Sequence, residues 1–340
     1  MIKKTFVAVL GCTGYVGIEL VKILSNHPNV KINFLGSENS SNIQINQLDK
    51  SIISSNLPAI DFNKNFNPND SEYVFLALPH GISNNFVKEY FNKIKIIDLS
   101  ADFRLDDLQN YKQSYGDFHS CPNLLNKFSY GLPEIYRNIL SNTSNIAVPG
   151  CYPTSVLLPL IPLIIENSID NENIIIDSKS GYSGAGKNFD INNIKKSNDF
   201  NFYNYNTNDH RHITEIHQEL SKHSNSKISF SFNPHILPNY RGMMSTIYCN
   251  LKSKFNLSDV ENIINSFEQK NKFIKFYKNQ RADFFSVQNT NNCIIKLFKH
   301  HDNSKLIIVS LIDNLKKGAA GQAIQCFNIN LGINETIALV

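Results

Sequence analysis

Residues 5–28 read TFVAVLGCTGYVGIELVKILSNHP, and the fold turns on how they are read. Thr5 to Leu10 is a β-branched and apolar run, Gly11, Gly14 and Gly17 follow at three-residue spacing, and helical periodicity then continues until Pro28. Strand, glycine turn and helix in that order predict a site where bare backbone approaches a pyrophosphate at a helix N-terminus. A tight strand-to-helix turn with close packing would need the same glycines, so the spacing alone supports both readings. The strand-first context favours a dinucleotide, with Gly11, Thr13, Gly14, Tyr15, Val16 and Gly17 as its contacts. After a second strand at 31–35 the chain reads Gly36-Ser37-Glu38-Asn39-Ser40-Ser41. Glu38 would suit the ribose hydroxyls of NAD, whereas Ser37, Ser40 and Ser41 would suit the 2′-phosphate of NADP.

Outward from this turn, strands are expected at 73–78 and 95–99 with a helix at 84–91 between them, an alternation that implies a parallel sheet. Around Pro149 the rhythm changes. A helix is expected to open after Cys151, followed by strand-like runs at 174–178, 228–232, 246–251, 293–298 and 306–312. Strands clustered in this way point to a mixed or antiparallel sheet, covered on one face by an amphipathic helix at 257–267 capped by Ser258. A last helix is expected at 321–330. Residues 185–210 are polar, Asn-rich and aromatic without periodicity, which predicts a long loop near the active site or an interface. The chain therefore reads as α/β in two domains. Residues 1–149, completed by a C-terminal helical segment at 318–340, form the dinucleotide-binding half, and 150–317 form an α+β half.

With 340 residues, two domains can each bury a core. The net charge of +4 is scattered, without a basic run of the kind that marks a nucleic-acid partner. The longest oily run, Val156 to Ile165, contains Pro159 and Pro162 and is too short for a membrane span, so a soluble protein is expected. Six cysteines without CxxC pairs or zinc spacing suit reduced thiols in a cytoplasm.

Pro149-Gly150-Cys151-Tyr152-Pro153-Thr154-Ser155 places a thiol at the opening of an apolar helix, where backbone N–H groups and the helix dipole favour a thiolate. A small buried cysteine would fit that one feature equally well. Cys12 lies inside the glycine turn, while Cys249, Cys293 and Cys326 sit in apolar patterns and read as packing. A thiolate that displaces phosphate and later releases an aldehyde needs an acid–base group, for which histidine suits neutral pH. The densest constellation is His210-Arg211-His212-Ile213-Thr214-Glu215. Helical spacing brings Glu215 to the face of His212, where it can orient the ring. His212 is the expected acid–base group and His210 a substrate contact, with the exchange of the two left open. No further residues at ligand spacing support a metal. His80, in LALPHG, is the alternative histidine, placed to border a nicotinamide.

Nine ordered stretches, VLGCTGYVGIEL, FLALPHG, DLSADFR, YGLPE, VPGCYPTS, SGYSGAGK, HRHITEI, PHILPNYRG and IDNLKKGAAGQA, together resemble the N-acetyl-γ-glutamyl-phosphate reductase family of arginine biosynthesis over nearly the whole chain. The resemblance implies a Rossmann domain and an α+β domain of the glyceraldehyde-phosphate and aspartate-semialdehyde dehydrogenase type. It implies NADP(H) as cofactor, an acyl phosphate as substrate, and a cytoplasmic homodimer or homotetramer. It also assigns the nucleophile to Cys151 and the acid–base group to His212. The implied reaction reduces N-acetyl-glutamyl 5-phosphate to N-acetyl-glutamate 5-semialdehyde and phosphate through a Cys151 thioester. Arg104 and Arg241 are candidates to hold phosphate or carboxylate, although an exposed arginine would read the same way. Backbone donors around Ser183 and Gly184 would meet the nicotinamide carboxamide or the substrate, and Asn314 lies in the stretch that returns to the cofactor.

Tyr182 and Lys187 in SGYSGAGK, and Asn239 and Tyr240 in PHILPNYRG, depart from the family's usual residues and bear on substrate fit. A related reductase acting on a carrier-bound aminoadipyl phosphate in lysine biosynthesis shares much of this pattern. A non-catalytic dinucleotide-sensing protein would keep the glycine turn but would leave Cys151, His212 and Glu215 unexplained. A cysteine hydrolase would leave the glycine turn and IDNLKKGAAGQA unexplained.

Overall fold

The structure is a computed structural model that describes residues 4–53, 56–116, 119–300 and 305–340. The chain separates into two compact units, Met1–Pro149 with Ala319–Val340, and Gly150–Gly318.

The first unit carries strands β1 (Thr5–Leu10), β2 (Val30–Ser37), β3 (Ile60–Phe62), β4 (Tyr73–Leu76), β5 (Lys95–Asp98), β6 (Ser129–Tyr130) and β7 (Asn145–Ala147). Its helices are α1 (Tyr15–Ser25), α2 (Ser83–Tyr90), α3 (Leu108–Tyr115) and α4 (Pro133–Leu140). Among the described residues the strands form one sheet in the order β3-β2-β1-β4-β5-β7-β6, every pair parallel. The order reverses between β1 and β4, which is where open α/β sheets bind ligands. Strands β3, β6 and β7 were not expected. They are two or three residues long, too short to show periodicity, and exist because neighbouring strands supply their hydrogen bonds.

The helix Gly321–Asn330 returns to this unit and packs on α1 and α4. Its Phe327 meets the rings of Tyr73 at 4.9 Å, Phe75 at 5.5 Å and His27 at 5.8 Å. A buried Phe is worth about 3–5 kcal/mol against Ala, so one side chain anchors much of the returning chain.

The second unit opens on α5 (Cys151–Ile165), whose residues 152–164 are all buried. Packing on every side offsets the ladder bonds that Pro159 and Pro162 remove. The unit continues with β8 (Ile174–Gly181), β9 (Lys195–Lys196), β10 (Asp199–Phe200), β11 (Tyr203–Asn204), α6 (His212–Lys222), β12 (Phe230–Leu237) and β13 (Met243–Asn250). It ends with α7 (Leu257–Lys270), β14 (Ile274–Phe276), α8 (Phe284–Val287), β15 (Cys293–Lys299) and β16 (Lys305–Ile312). Among the described residues its large sheet has the order β11-β12-β8-β13-β16-β15-β14 and is mixed, with β12 to β8 and β14 to β15 parallel. Strand β12 runs through Pro234, which contributes an acceptor there, its carbonyl taking the Tyr205 N–H at 3.0 Å.

Helix α7 is capped by Asn256, not Ser258. The Asn256 carboxamide accepts the amides of Ser258 at 2.8 Å and Asp259 at 3.3 Å, and Asp259 returns a bond to the Asn256 amide at 2.8 Å. Ser258 lies two residues too far in, because the extended Asn256 backbone already aims its side chain at these orphan donors. Residues 185–210, expected as a loop, contain the short strands β9, β10 and β11.

Helices α5 and α7 cover one face of the large sheet. On the opposite face, Val287, Ile294 and Leu311 form a buried cluster with Met244, Phe284 and Val309 around them. Beyond it the face is open. Ile175, Tyr248, Ile307 and Phe298 stand in register across β8, β13, β16 and β15, with Ile175 51%, Tyr248 39% and Phe298 43% exposed. Among the described residues no helix is long and apolar enough to cross a membrane.

Candidate active site

Gly150 caps α5 in an extended conformation without a side-chain bond, so Cys151 is the first residue of a 15-residue helix whose N-terminal amides and dipole end lie at the thiol. Of the six cysteines it is the one that is not buried. Glu215, fully buried in the first turn of α6, accepts the Gly150 N–H through Oε1 at 3.0 Å. The carboxylate thus ties α6 to the opening of the cysteine helix, a task that helical spacing did not predict.

His212 is the first residue of α6, and its N–H donates to Nδ1 of His210 at 3.1 Å. The two rings lie 4.7 Å apart, with Tyr152 5.5 Å from His210 and 5.9 Å from His212. Burial, and then the charge of Arg211, push the His210 imidazole down to about 4. It is neutral at physiological pH, with the proton on Nε2 as the Nδ1 bond requires. Tyr205 donates to the Tyr152 hydroxyl at 3.3 Å, and Tyr152 to the His235 carbonyl at 3.2 Å. These tyrosines wall the histidine pair and were not singled out in the sequence. Tyr152 directly follows Cys151, but nothing local connects it with Tyr205.

Arg241 lies in the same unit. Its Nε is 2.9 Å from Oδ2 of fully buried Asp313, and its Nη1 donates to Asn289 at 2.5 Å. Asn314 accepts the Gly242 N–H at 2.8 Å and donates to Ser183 at 2.9 Å, locking the turn that contains Gly184. Three loops, 181–186, 239–242 and 313–318, therefore meet on Asp313 and Asn314. The sequence offered Asn314 but not Asp313, although the two are adjacent.

The first unit holds the glycine turn. Gly11 has φ +76°, and a side chain there would stand 2.3 Å from the Ala77 carbonyl oxygen, while one at Gly17 would stand 2.2 Å from that of Gly11. Both glycines are required by the packing of the turn itself. Gly14 is different, since a Cβ there would make only an ordinary 3.6 Å contact. It caps α1 in an extended conformation without a side-chain bond, at the kind of helix N-terminus that receives anions. The packing of the turn does not need this glycine. Ser37 is buried, its hydroxyl 3.2 Å from that of Thr13. Glu38 is exposed and Ser40 and Ser41 are half-buried. Asn63, unmarked in the sequence, joins Glu38 at 3.5 Å to the Gly11 amide at 3.4 Å.

Arg104 is buried, with Nη2 donating to the Leu99 carbonyl at 2.8 Å, which staples the loop after β5. In that loop Asp102 accepts the amides of Gly81 at 2.9 Å and Asn84 at 3.1 Å, and its Oδ1 is 2.6 Å from His80 Nδ1. Burial pushes the Asp102 carboxyl up, but His80 and the amides outweigh it and hold it below the usual range. Asp98, fully buried, is raised to about 6 by desolvation and by the Asp102 charge. DLSADFR thus carries a carboxylate pair where the sequence had singled out only Arg104.

Residues 6–143 match the semialdehyde dehydrogenase NAD binding domain, and residues 151–314 the semialdehyde dehydrogenase dimerisation domain. The chain is 40% identical over 336 residues to N-acetyl-gamma-glutamyl-phosphate reductase of Clostridium botulinum (strain Eklund 17B / Type B), covering 98% of this chain and 97% of that protein. It is 43% identical over 346 residues to the protein of the same name from Ehrlichia canis (strain Jake), covering 98% and 96%. Among solved structures, aspartate semialdehyde dehydrogenase II of Vibrio cholerae complexed with ASA superposes with a TM-score of 0.74 at 15% identity, covering 97% of this chain and 99% of that one. Aspartate semialdehyde dehydrogenase with NADP from Candida albicans gives 0.70 at 15% identity, covering 96% and 98%. At such identities the structural likeness is one of fold.

Proposed function

This chain belongs to the N-acetyl-γ-glutamyl-phosphate reductase family of semialdehyde dehydrogenases, and on that premise we propose that Cys151 is its nucleophile and His212 its acid–base group. The enzyme converts N-acetyl-L-glutamyl 5-phosphate to N-acetyl-L-glutamate 5-semialdehyde with release of phosphate, a step of arginine biosynthesis. The observation that carries the residue assignment is Cys151 at the first turn of buried α5, bound through Gly150 and Glu215 to the helix that begins at His212.

The Cys151 thiolate attacks the acyl carbon, the carbon–oxygen bond to phosphate breaks, and a thioester forms. NADPH, when bound, would supply the hydride for reduction of the thioester carbonyl. Protonated His212 gives its proton to the carbonyl oxygen during that reduction. It takes the proton back as the thiohemiacetal releases aldehyde and regenerates the Cys151 thiolate. Glu215 holds the cysteine helix and helps to set the His212 ring. Of the residues read as substrate-binding, Arg241 shares a unit with Cys151 and is held in place by Asp313 and Asn289, so it takes the substrate's anionic group. Arg104 and His210 serve the surrounding loops first. Steady-state NADPH oxidation with N-acetylglutamyl 5-phosphate and with a carrier-bound aminoadipyl phosphate tests the substrate, and faster turnover of the second would overturn the assignment.

The glycine turn would hold NADP(H), with Gly11, Thr13, Gly14, Tyr15, Val16 and Gly17 as its pyrophosphate contacts and Ser37 positioning Thr13; Ser183, Gly184 and Asn314 keep their reading from the sequence as residues that would serve the nicotinamide. Gly14→Ala is expected to weaken NADPH binding about tenfold or more, measured by fluorescence titration. Because the fold leaves room for that methyl, the cap loses no more than about 1 kcal/mol. Gly17→Ala should instead lower the melting temperature. Wild-type NADPH affinity in Gly14→Ala would rule out this placement.

The open apolar row across β8, β13, β16 and β15 lies within the region matched to the dimerisation domain, and a second copy of the chain covers it to form a homodimer. Tyr248→Asp is expected to give monomers by light scattering, and an unchanged oligomer would place the interface elsewhere. The free cysteines suit a cytoplasmic location.

A further inference from the structure

Gly318 lies 167 residues beyond Cys151 in the sequence, yet a Cβ at Gly318 would stand 2.7 Å from the Cβ of Cys151 and 3.2 Å from its Cα. Real Cβ atoms do not approach so closely, and neither of these atoms is the far end of a flexible side chain that could swing away. The backbone of Gly318 is outside the left-handed region, so its conformation does not call for glycine. Space against the cysteine does. The turn that brings Gly318 there is fastened firmly. The Gly318 amide donates to the Asp313 carbonyl at 3.0 Å, and Asp313 Oδ1 accepts the amides of Leu315 at 2.9 Å and Lys316 at 3.1 Å. Lys317 is fully buried with its ammonium 5.6 Å over the Phe273 ring. The other Asp313 oxygen takes the Asn289 amide at 2.6 Å and faces Arg241 Nε at 2.9 Å.

We propose that Gly318 is a positioning residue that seats Cys151, and that Asp313 ties this seat to Arg241, so that one turn sets both the nucleophile and the substrate's anionic anchor. An added methyl pushes the first turn of α5 away by some tenths of an ångström. Attack on an acyl carbon tolerates little of that, since misplacement by about 1 Å costs roughly a hundredfold. The catalytic consequence rests on Cys151 being the nucleophile, whereas the contact does not.

A double-mutant cycle separates the two. Gly318→Ala is expected to lower the melting temperature by about 2–8 °C and to slow both turnover and carbamidomethylation of Cys151 by iodoacetamide about tenfold or more, with the dissociation constant for NADPH unchanged. In a Cys151→Gly background, which removes the atom that is struck, the same substitution should leave the melting temperature nearly unmoved. A Gly318→Ala protein that folds only in the Cys151→Gly background supports the seat equally. Equal destabilisation in both backgrounds, failure to fold in both, or wild-type alkylation and turnover in Gly318→Ala would overturn it. Turnover retained by Cys151→Ser would instead sink the nucleophile assignment and leave the stability cycle as it stands.

Discussion

Cys151→Ser is expected to abolish the phosphate-dependent oxidation of N-acetylglutamate 5-semialdehyde, the assayable reverse reaction, with a fall of at least about three decades. The substitution is nearly isosteric, so α5 and its packing persist and NADP binding survives. What is lost is an ionisable nucleophile. The first-turn amides of α5 stabilise a thiolate but cannot ionise an alcohol, whose acidity is too far away. No other thiol replaces it. The remaining cysteines are buried, and burial pushes the Cys249 thiol up to about 12 and raises Cys121 as well. NADPH formation followed by absorbance, with cofactor affinity measured in parallel, checks this. Turnover near the wild-type rate would end the covalent mechanism.

His212→Asn lowers kcat by about two to four decades, the usual span for acid–base catalysis. His210→Asn has the smaller effect. His210 uses Nδ1 to accept the His212 amide and is held neutral down to about 4, so it carries no exchangeable charge at the pH of turnover. Asparagine offers an oxygen to the same amide, which makes it the fair substitution at both positions. The pH profile separates acid–base loss from structural damage, because His212→Asn should remove the limb that reports the group and His210→Asn should keep it. A greater loss in His210→Asn would exchange the two roles.

Long elements were legible because their signals are local. β1, the glycine turn and α1 occupy one short stretch, and burial follows its pattern of apolar residues. The cysteine helix announced itself through Pro149 and Gly150 and the oily run behind them. The α7 cap was misread because serine and asparagine are both good caps two positions apart, and the backbone angle at Asn256 chose between them. The edge strands were not legible because they have no pattern of their own and exist through partners distant in sequence.

The sequence by itself determined the order of the longer strands, the glycine turn, the thiol at a helix start and a histidine pair with a carboxylate downstream. Only the tertiary structure decided what each of these touches. Glu215 reaches Gly150 across 65 residues, and Asp313 joins Arg241 to the turn whose glycine lies against Cys151. It also set the state of His210, since protonation depends on burial and hydrogen bonds, and both come from residues that are neighbours in space.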